Sequence, residues 1–280
     1  MRDTIEALTI GAFARAISLD VVVGAACGGL LAEHVTNARM PPGWWIALLT
    51  AVWSIYTADH LLDARRSPGT SGSYRHKFHR RHARALTIAL GFAIVVGLGA
   101  ALTLRPTVQI YGIGLSIAVV QYLASAQGLI LRSVPKEPIA GLLYAAGIWG
   151  GPIVMGEGPQ PWLIGAAALH AVAAVLNLLM LGVFEAEADR EQESRSVALR
   201  WGSARTRTFV IGLGILSAVV SLAAGLRSPS ALAPVCVVLA IQLATPPMLL
   251  LAQAWSSCNE RYRIWGDSVF FLGALPRLIS

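Results

Sequence analysis

Two pairs of carboxylates carry the chemical signal of this chain. Asp59 and Asp63 stand four residues apart in Ser54-Ile-Tyr-Thr-Ala-Asp-His-Leu-Leu-Asp-Ala-Arg-Arg66, at the end of a long apolar run. Glu185 and Asp189 repeat that spacing after another apolar run. On a helix a four-residue step puts both side chains on one face, a turn apart. Carboxylates at the end of a hydrophobic helix are costly unless something positive sits between them. Four carboxylates with arginines and a lysine nearby suit a Mg2+–diphosphate site. Mg2+ takes hard oxygen ligands from one or two carboxylates, waters and phosphate oxygens. Basic side chains then hold the remaining phosphate charge. The plainer alternative is a set of interfacial ion pairs, Asp63 with Arg66 or Glu185 with Arg190. Two pairs at matched helix ends favour the shared site.

Other polar residues read less sharply. His76, His79 and His82 have a three-residue spacing but no Cys or fourth ligand, which argues against zinc. Cys27, Cys236 and Cys258 are odd in number, lack a CxxC spacing and read as buried thiols. Glu187, Glu191 and Glu193 read as a solvated acidic patch. His60 follows Asp59 but points about 100° away around the helix. Asn177 lies two turns before Glu185 on roughly the same face. It is either an interhelical hydrogen bonder or a pocket residue below a metal.

The elements that must position these residues are membrane helices. The 280-residue chain is 55% hydrophobic and 13% charged, with mean hydropathy +0.62. A soluble domain carries about twice that charge fraction. Apolar runs long enough to span a bilayer recur throughout. They predict nine spans: 16–34, 44–62, 85–104, 108–127, 139–155, 162–185, 208–226, 232–253 and 264–278. The last is short and holds Asp267 and Pro276. No cleavable signal peptide is expected, because residues 1–8 are mixed in polarity. The net charge of +7 fits cytoplasmic loops facing anionic lipid rather than nucleic acid.

Nine spans put the amino terminus and the loops after spans two, four, six and eight on one side. That side holds 18 of the 22 Lys and Arg residues, which makes it cytoplasmic by the positive-inside rule. Both acidic pairs then fall on that side, at helix carboxyl ends already made partly negative by the peptide dipoles. The two placements resemble a weak duplication of two four-helix halves. The loop 64–84 opens with Pro68, Gly69, Ser71 and Gly72 and closes with a basic run. It is either a solvated loop on the lipid surface or a lid over an anionic group.

At these residues the chain resembles the UbiA superfamily of intramembrane prenyltransferases. Glu185 to Gly202 is similar to the family's DxxxDxxxGxxTLAVxLG, with Glu185 and Asp189 for the acids, Ser196 for Thr and Gly202 for the closing glycine. Asp59 and Asp63 take the last two acidic positions of NDxxDxxxD. Arg132 to Lys136 resembles the family's basic loop between spans four and five. The departures are specific: Ile55 and Tyr56 stand where the first motif has Asn and Asp, and Glu185 replaces an Asp. Glu193 sits where Gly is common, and Gly128 stands at the Tyr of the YxxxK element.

The resemblance implies an all-α polytopic membrane bundle of about nine transmembrane helices around a central cavity open sideways to lipid, as a single domain over residues 1–280. It implies a multi-pass protein of a bacterial inner membrane with its active end on the cytoplasmic side. A prenyl group would pass from an allylic polyprenyl diphosphate to a lipophilic acceptor, with no nucleic acid partner. Asp59, Asp63, Glu185 and Asp189 would hold Mg2+. Arg132, Lys136 and Arg75 would bind the diphosphate. Tyr56 and Asn177 would line the pocket, with Trp53, Tyr122, Tyr144 and Trp149 as further candidates for its walls. A cyclase of the same fold and a silent isoprenoid-lipid binder are the rival readings. An ion transporter fits the repeat but not the pairing of acids with bases at one face.

Overall fold

The computed structural model describes residues 10–66, 74–126, 135–156, 158, 160–191, 196–229 and 232–279. Its helices are α1 (Ile10–Ala16), α2 (Leu19–Thr36), α3 (Pro42–Arg66), α4 (Tyr74–Arg81), α5 (Ala83–Ala101), α6 (Pro106–Ala126), α7 (Lys136–Met155) and α8 (Pro161–Phe184). They continue with α9 (Ala186–Glu191), α10 (Val197–Trp201), α11 (Ser203–Arg227), α12 (Ala233–Leu251), α13 (Gln253–Ser256), α14 (Arg261–Ser268) and α15 (Leu275–Leu278). Among the described residues there is no strand, and eight helices are long and apolar enough to cross a membrane: α2, α3, α5, α6, α7, α8, α11 and α12.

Those eight correspond to the first eight expected spans. The ninth differs. Residues 261–278 form α14, a 3-10 stretch Val269–Ala274 and α15, so the segment starts before Ile264 and is broken in pitch. Its Gly266, Asp267, Gly273 and Pro276 leave no uninterrupted apolar run of spanning length.

Proline marks where several spans begin. Pro42, Pro106 and Pro161 open α3, α6 and α8, and Pro234 lies in the first turn of α12. A first-turn N–H has no intrahelical partner, so proline loses nothing there and its fixed φ suits the helix. These four helices run the same way, away from the sparsely charged loops.

The outside of the bundle is apolar. Phe92 and Val95 on α5 and Ile110 on α6 are exposed, as helices facing lipid require. Inside, one buried cluster joins Leu31, Trp44, Leu48, Ile148 and Trp149 from α2, α3 and α7. A second joins Leu176, Met180, Val210, Leu243 and Phe270 around α8, α11 and α12. At the sparsely charged end Arg277 pairs with Glu33, whose Oε1 accepts from the Met40 N–H at 2.6 Å. Glu33 is buried, so this bonding offsets the cost of its charge.

α5 and α6 are consecutive but, among the described residues, do not pack along each other. α5 lies on α3, and α6 lies on α7. Between them the bundle opens toward lipid.

Candidate active site

A cavity of about 1700 Å³ runs through the bundle, lined by α2, α3, α5, α6, α7, α8 and residues 260–270. On α3 its wall extends from Trp44 to His60. At 1.5 Å per residue that is a depth of about 24 Å. Most of the wall is apolar, and Ile94 and Leu98 of α5 and Ile113, Ile117 and Val120 of α6 line it beside the lipid-facing opening. Its charged residues gather at the end where α3, α6 and α8 finish and α2 and α7 begin.

Asp59, Glu185, Asp189 and Lys136 all line that end. Both acidic stretches therefore reach one cavity. Tyr56 and Asn177 line it too, as do Tyr122 and Tyr144. Asp63 lies in α3 and Arg75 in α4, but their side chains are outside the described residues, and Arg132 is outside them entirely. Among the described residues, no three His, Cys, Asp or Glu side chains cluster closely enough to hold a metal by themselves.

Two expected wall residues face elsewhere. Trp53 does not line the cavity; its Nε1–H donates to the Ile17 carbonyl at 3.1 Å, tying α3 to the turn after α1. Trp149 is buried in the α2–α3–α7 cluster. About 100° of rotation separates Trp53 from Val52 and Ser54, which do line the cavity, and about 200° separates Trp149 from Gly147 and Gly151, which also do.

The second acidic stretch is fixed by contacts remote in sequence. Glu185 follows the last turn of α8 as its C-cap, and its Oε1 meets Arg263 Nη2 of α14 at 2.6 Å. The plainer pairing of Glu185 with Arg190 is thus replaced by one with Arg263. Phe184 and Tyr262, the preceding residues on each side, stack with centroids 4.5 Å apart and planes 10° apart. Two turns back on α8, Asn177 Nδ2 donates to Asp267 Oδ1 at 3.1 Å. Asn177 is thus an interhelical hydrogen bonder and a cavity residue at once.

The electrostatics follow from this packing. Tyr262 and Arg263 lie outside the eight spans. Burial first, then the Glu185 charge, pushes the Tyr262 hydroxyl up to about 12. Burial opposes the Arg263 charge, but Glu185, Tyr262, Glu260 and Asp267 together more than offset this and hold the guanidinium above its ordinary value.

The loop back from Asp189 is also held. Glu137, in the first turn of α7, accepts the Val197 N–H at 2.9 Å and so satisfies the first donor of α10. Ser196 is buried beside it. Gly202, between α10 and α11, has φ 86°, a conformation that disfavours any side chain, which explains a glycine at that place.

At the first stretch the neighbours are rings. Tyr56 and His60 lie edge to face at 6.4 Å, and His60 meets the buried His79 of α4 at 5.1 Å. The basic loop 64–84 therefore includes a helix seated on the end of α3. His79 is a packing residue within this arrangement.

Sequence reasoning missed Arg263, Asp267, Asp20, Glu137 and Glu260. All but Glu137 line the cavity. The available signal was the four-residue spacing of Arg263 and Asp267 in an otherwise apolar segment.

No protein-family model matches the chain, and no curated protein does. Solved structures do match. A UbiA homolog from Archaeoglobus fulgidus bound to GPP and Mg2+ superposes with TM-score 0.65 at 11% identity, covering 94% of this chain and 98% of that one. The apo structure of a UbiA homolog from Aeropyrum pernix K1 gives TM-score 0.60 at 15% identity, covering 94% and 98%. A digeranylgeranylglyceryl phosphate synthase gives 0.54 at 12% identity, covering 98% and 99%. The motif resemblance and the three-dimensional likeness agree: over nearly its whole length this multi-pass helical chain has the UbiA fold.

Proposed function

We propose that the chain is a divergent UbiA superfamily member that transfers a prenyl or polyprenyl group from an allylic diphosphate to a lipophilic acceptor within the membrane. Its single domain spans residues 1–280, and its active end faces the cytoplasm of a bacterial cell. The observation that carries this reading is one cavity, mostly apolar and open toward lipid, whose charged end is lined by Asp59, Glu185, Asp189 and Lys136. The similar structures bound to GPP and Mg2+, and to DMAPP and Mg2+, support the ligand class.

The donor set fits Mg2+. Asp59, Glu185 and Asp189 offer hard oxygens, and Asp63 is the fourth acid this reading assigns to the metal. Acids outnumber bases on the described wall, so a diphosphate is favoured there only together with a divalent cation. When bound, Mg2+ would stabilise the negative charge that grows on the departing diphosphate. Lys136, with Arg132 and Arg75, holds phosphate oxygens from the cytoplasmic side. The allylic C–O bond breaks with its electron pair leaving on the diphosphate. A nucleophilic atom of the acceptor then bonds to the cationic carbon and releases its proton. The apolar wall keeps water from trapping the cation. The ring faces of Tyr56, Tyr122 and Tyr144 favour positive charge near them.

The test is Mg2+-dependent diphosphate release from allylic diphosphates of graded chain length in membranes containing the chain. Asp63→Ala and Asp189→Ala should each abolish release; unchanged activity in both would sink the site assignment. Product analysis separates transfer to an acceptor from cyclisation. A second reading, isoprenoid binding without turnover, is favoured by Tyr56 at an acidic position and by the engagement of Glu185 with Arg263. Binding without release at every chain length would establish it instead.

A further inference from the structure

The broken last segment is a working wall of the cavity. Two basic side chains line the cavity among the described residues, Lys136 and Arg263, against the carboxylates Asp20, Asp59, Glu185, Asp189, Glu260 and Asp267. Arg263 is 19% exposed and its partner Glu185 24%. A guanidinium so enclosed needs an anion at all times, because losing its partner would leave a buried charge uncompensated. Its carrier helix is fastened on both sides of it. Tyr262 stacks on Phe184, and Asp267, one turn on, accepts from Asn177. Gly266 lies so close to α8 that a Cβ there would stand 2.5 Å from Asn177 Oδ1 and 2.9 Å from Met180 Cε. The backbone of α14 is thus fixed, while the long Arg263 side chain ends at the polar end of the cavity.

Glu185 cannot serve Arg263 and a divalent cation equally well. When a metal takes the carboxylate, the guanidinium needs another oxygen anion, and the arriving diphosphate supplies one. Its planar fork suits two phosphate oxygens in a way an ammonium does not. Resting on the function proposed above, we infer that Arg263 is a diphosphate-binding residue: it holds Glu185 before substrate enters and passes to the phosphate oxygens as Glu185 passes to the metal. Arg263 then supplies positive charge at a site whose first acidic stretch carries Tyr56 in place of an acid.

The experiment uses the purified full chain in detergent micelles, with inorganic pyrophosphate as the anion probe and Mn2+ as the metal probe. Calorimetry reads pyrophosphate binding with and without Mg2+, and electron paramagnetic resonance reads Mn2+ alone. Arg263→Gln should weaken Mg2+-dependent pyrophosphate binding about tenfold or more, the effect of one charge-assisted contact. The same variant should bind Mn2+ alone at least as tightly as the unaltered chain, because Glu185 is released. Arg263→Lys should fall between the two in pyrophosphate affinity.

Undiminished pyrophosphate binding by Arg263→Gln overturns the inference. So does an equal weakening of Mn2+ and pyrophosphate, which marks a purely structural ion pair. If Arg263→Gln does not fold, Arg263→Lys decides, and unaltered pyrophosphate affinity in that variant overturns the inference. Asp189→Asn keeps the two levels apart: Mg2+-dependent binding that this variant weakens supports the proposed function whatever Arg263 does. Absence of such binding in the unaltered chain overturns the function and this inference together.

Discussion

Asp59 and Glu185 stand at the ends of α3 and α8, line the same cavity, and are built into the protein in opposite ways. Around Glu185 the structure supplies charge and hydrogen bonding from two distant segments, α14 and the start of α7. Arg263 pairs with it, Asp267 holds Asn177 beneath it, and Glu137 fixes the backbone that returns from Asp189. Next to Asp59 in the chain, Tyr56 and His60 lie edge to face, and His60 meets His79 of the basic helix α4. A carboxylate held by ionic contacts has a defined position and a partner that a metal must displace. The contrast predicts tighter control of an anionic ligand by the second stretch than by the first.

Four substitutions test that contrast. The largest effect is expected at Asp189. Asp189→Ala should lower the initial rate of diphosphate release by about 1000-fold or more, and Asp59→Ala by about 10- to 100-fold, following the cost of losing electrostatic stabilisation at a developing charge. Rates at saturating Mg2+ measure both, and equal losses would break the contrast.

Tyr56→Asp restores an acid at the position where the resemblance places one. It should lower the Mg2+ concentration needed for half-maximal release by about fivefold, since an added carboxylate ligand strengthens Mg2+ binding. An unchanged Mg2+ requirement would show that Tyr56 is there for packing. The smallest effect is expected at Glu137→Gln, which keeps an oxygen acceptor but removes its charge. It should cost about 1 kcal/mol of stability, the difference between a charged and a neutral hydrogen-bond acceptor at a helix start. Thermal melting in detergent measures it; a larger loss would make Glu137 a principal support of the second stretch.

The sequence makes the spans legible because a bilayer requires an apolar run of fixed length, and that requirement is local. The i, i+4 pairs are legible for the same reason, since a helix alone brings Asp59 and Asp63 to one face. Trp53 and Trp149 mislead because neighbours on a helix differ by about 100° in direction, so membership in a span does not say which side chain meets the cavity. Arg263 escapes because it lies in the one segment whose apolar run is broken, far in sequence from the acid it meets.

By itself the sequence determines the eight long helices, the skew of basic residues to one end and the existence of two acidic stretches at that end. Hydrophobic length and helical spacing are properties of neighbouring residues. Only the tertiary structure decides that both stretches reach one cavity, that α5 and α6 diverge to open it toward lipid, and that Glu185 meets Arg263 rather than Arg190. Those outcomes depend on helix rotation and packing between residues far apart in the chain, such as Asn177 and Asp267, which are separated by 90 positions. Electrostatic pairing acts through space, so the partner of a charge is fixed only when the fold brings the two within reach.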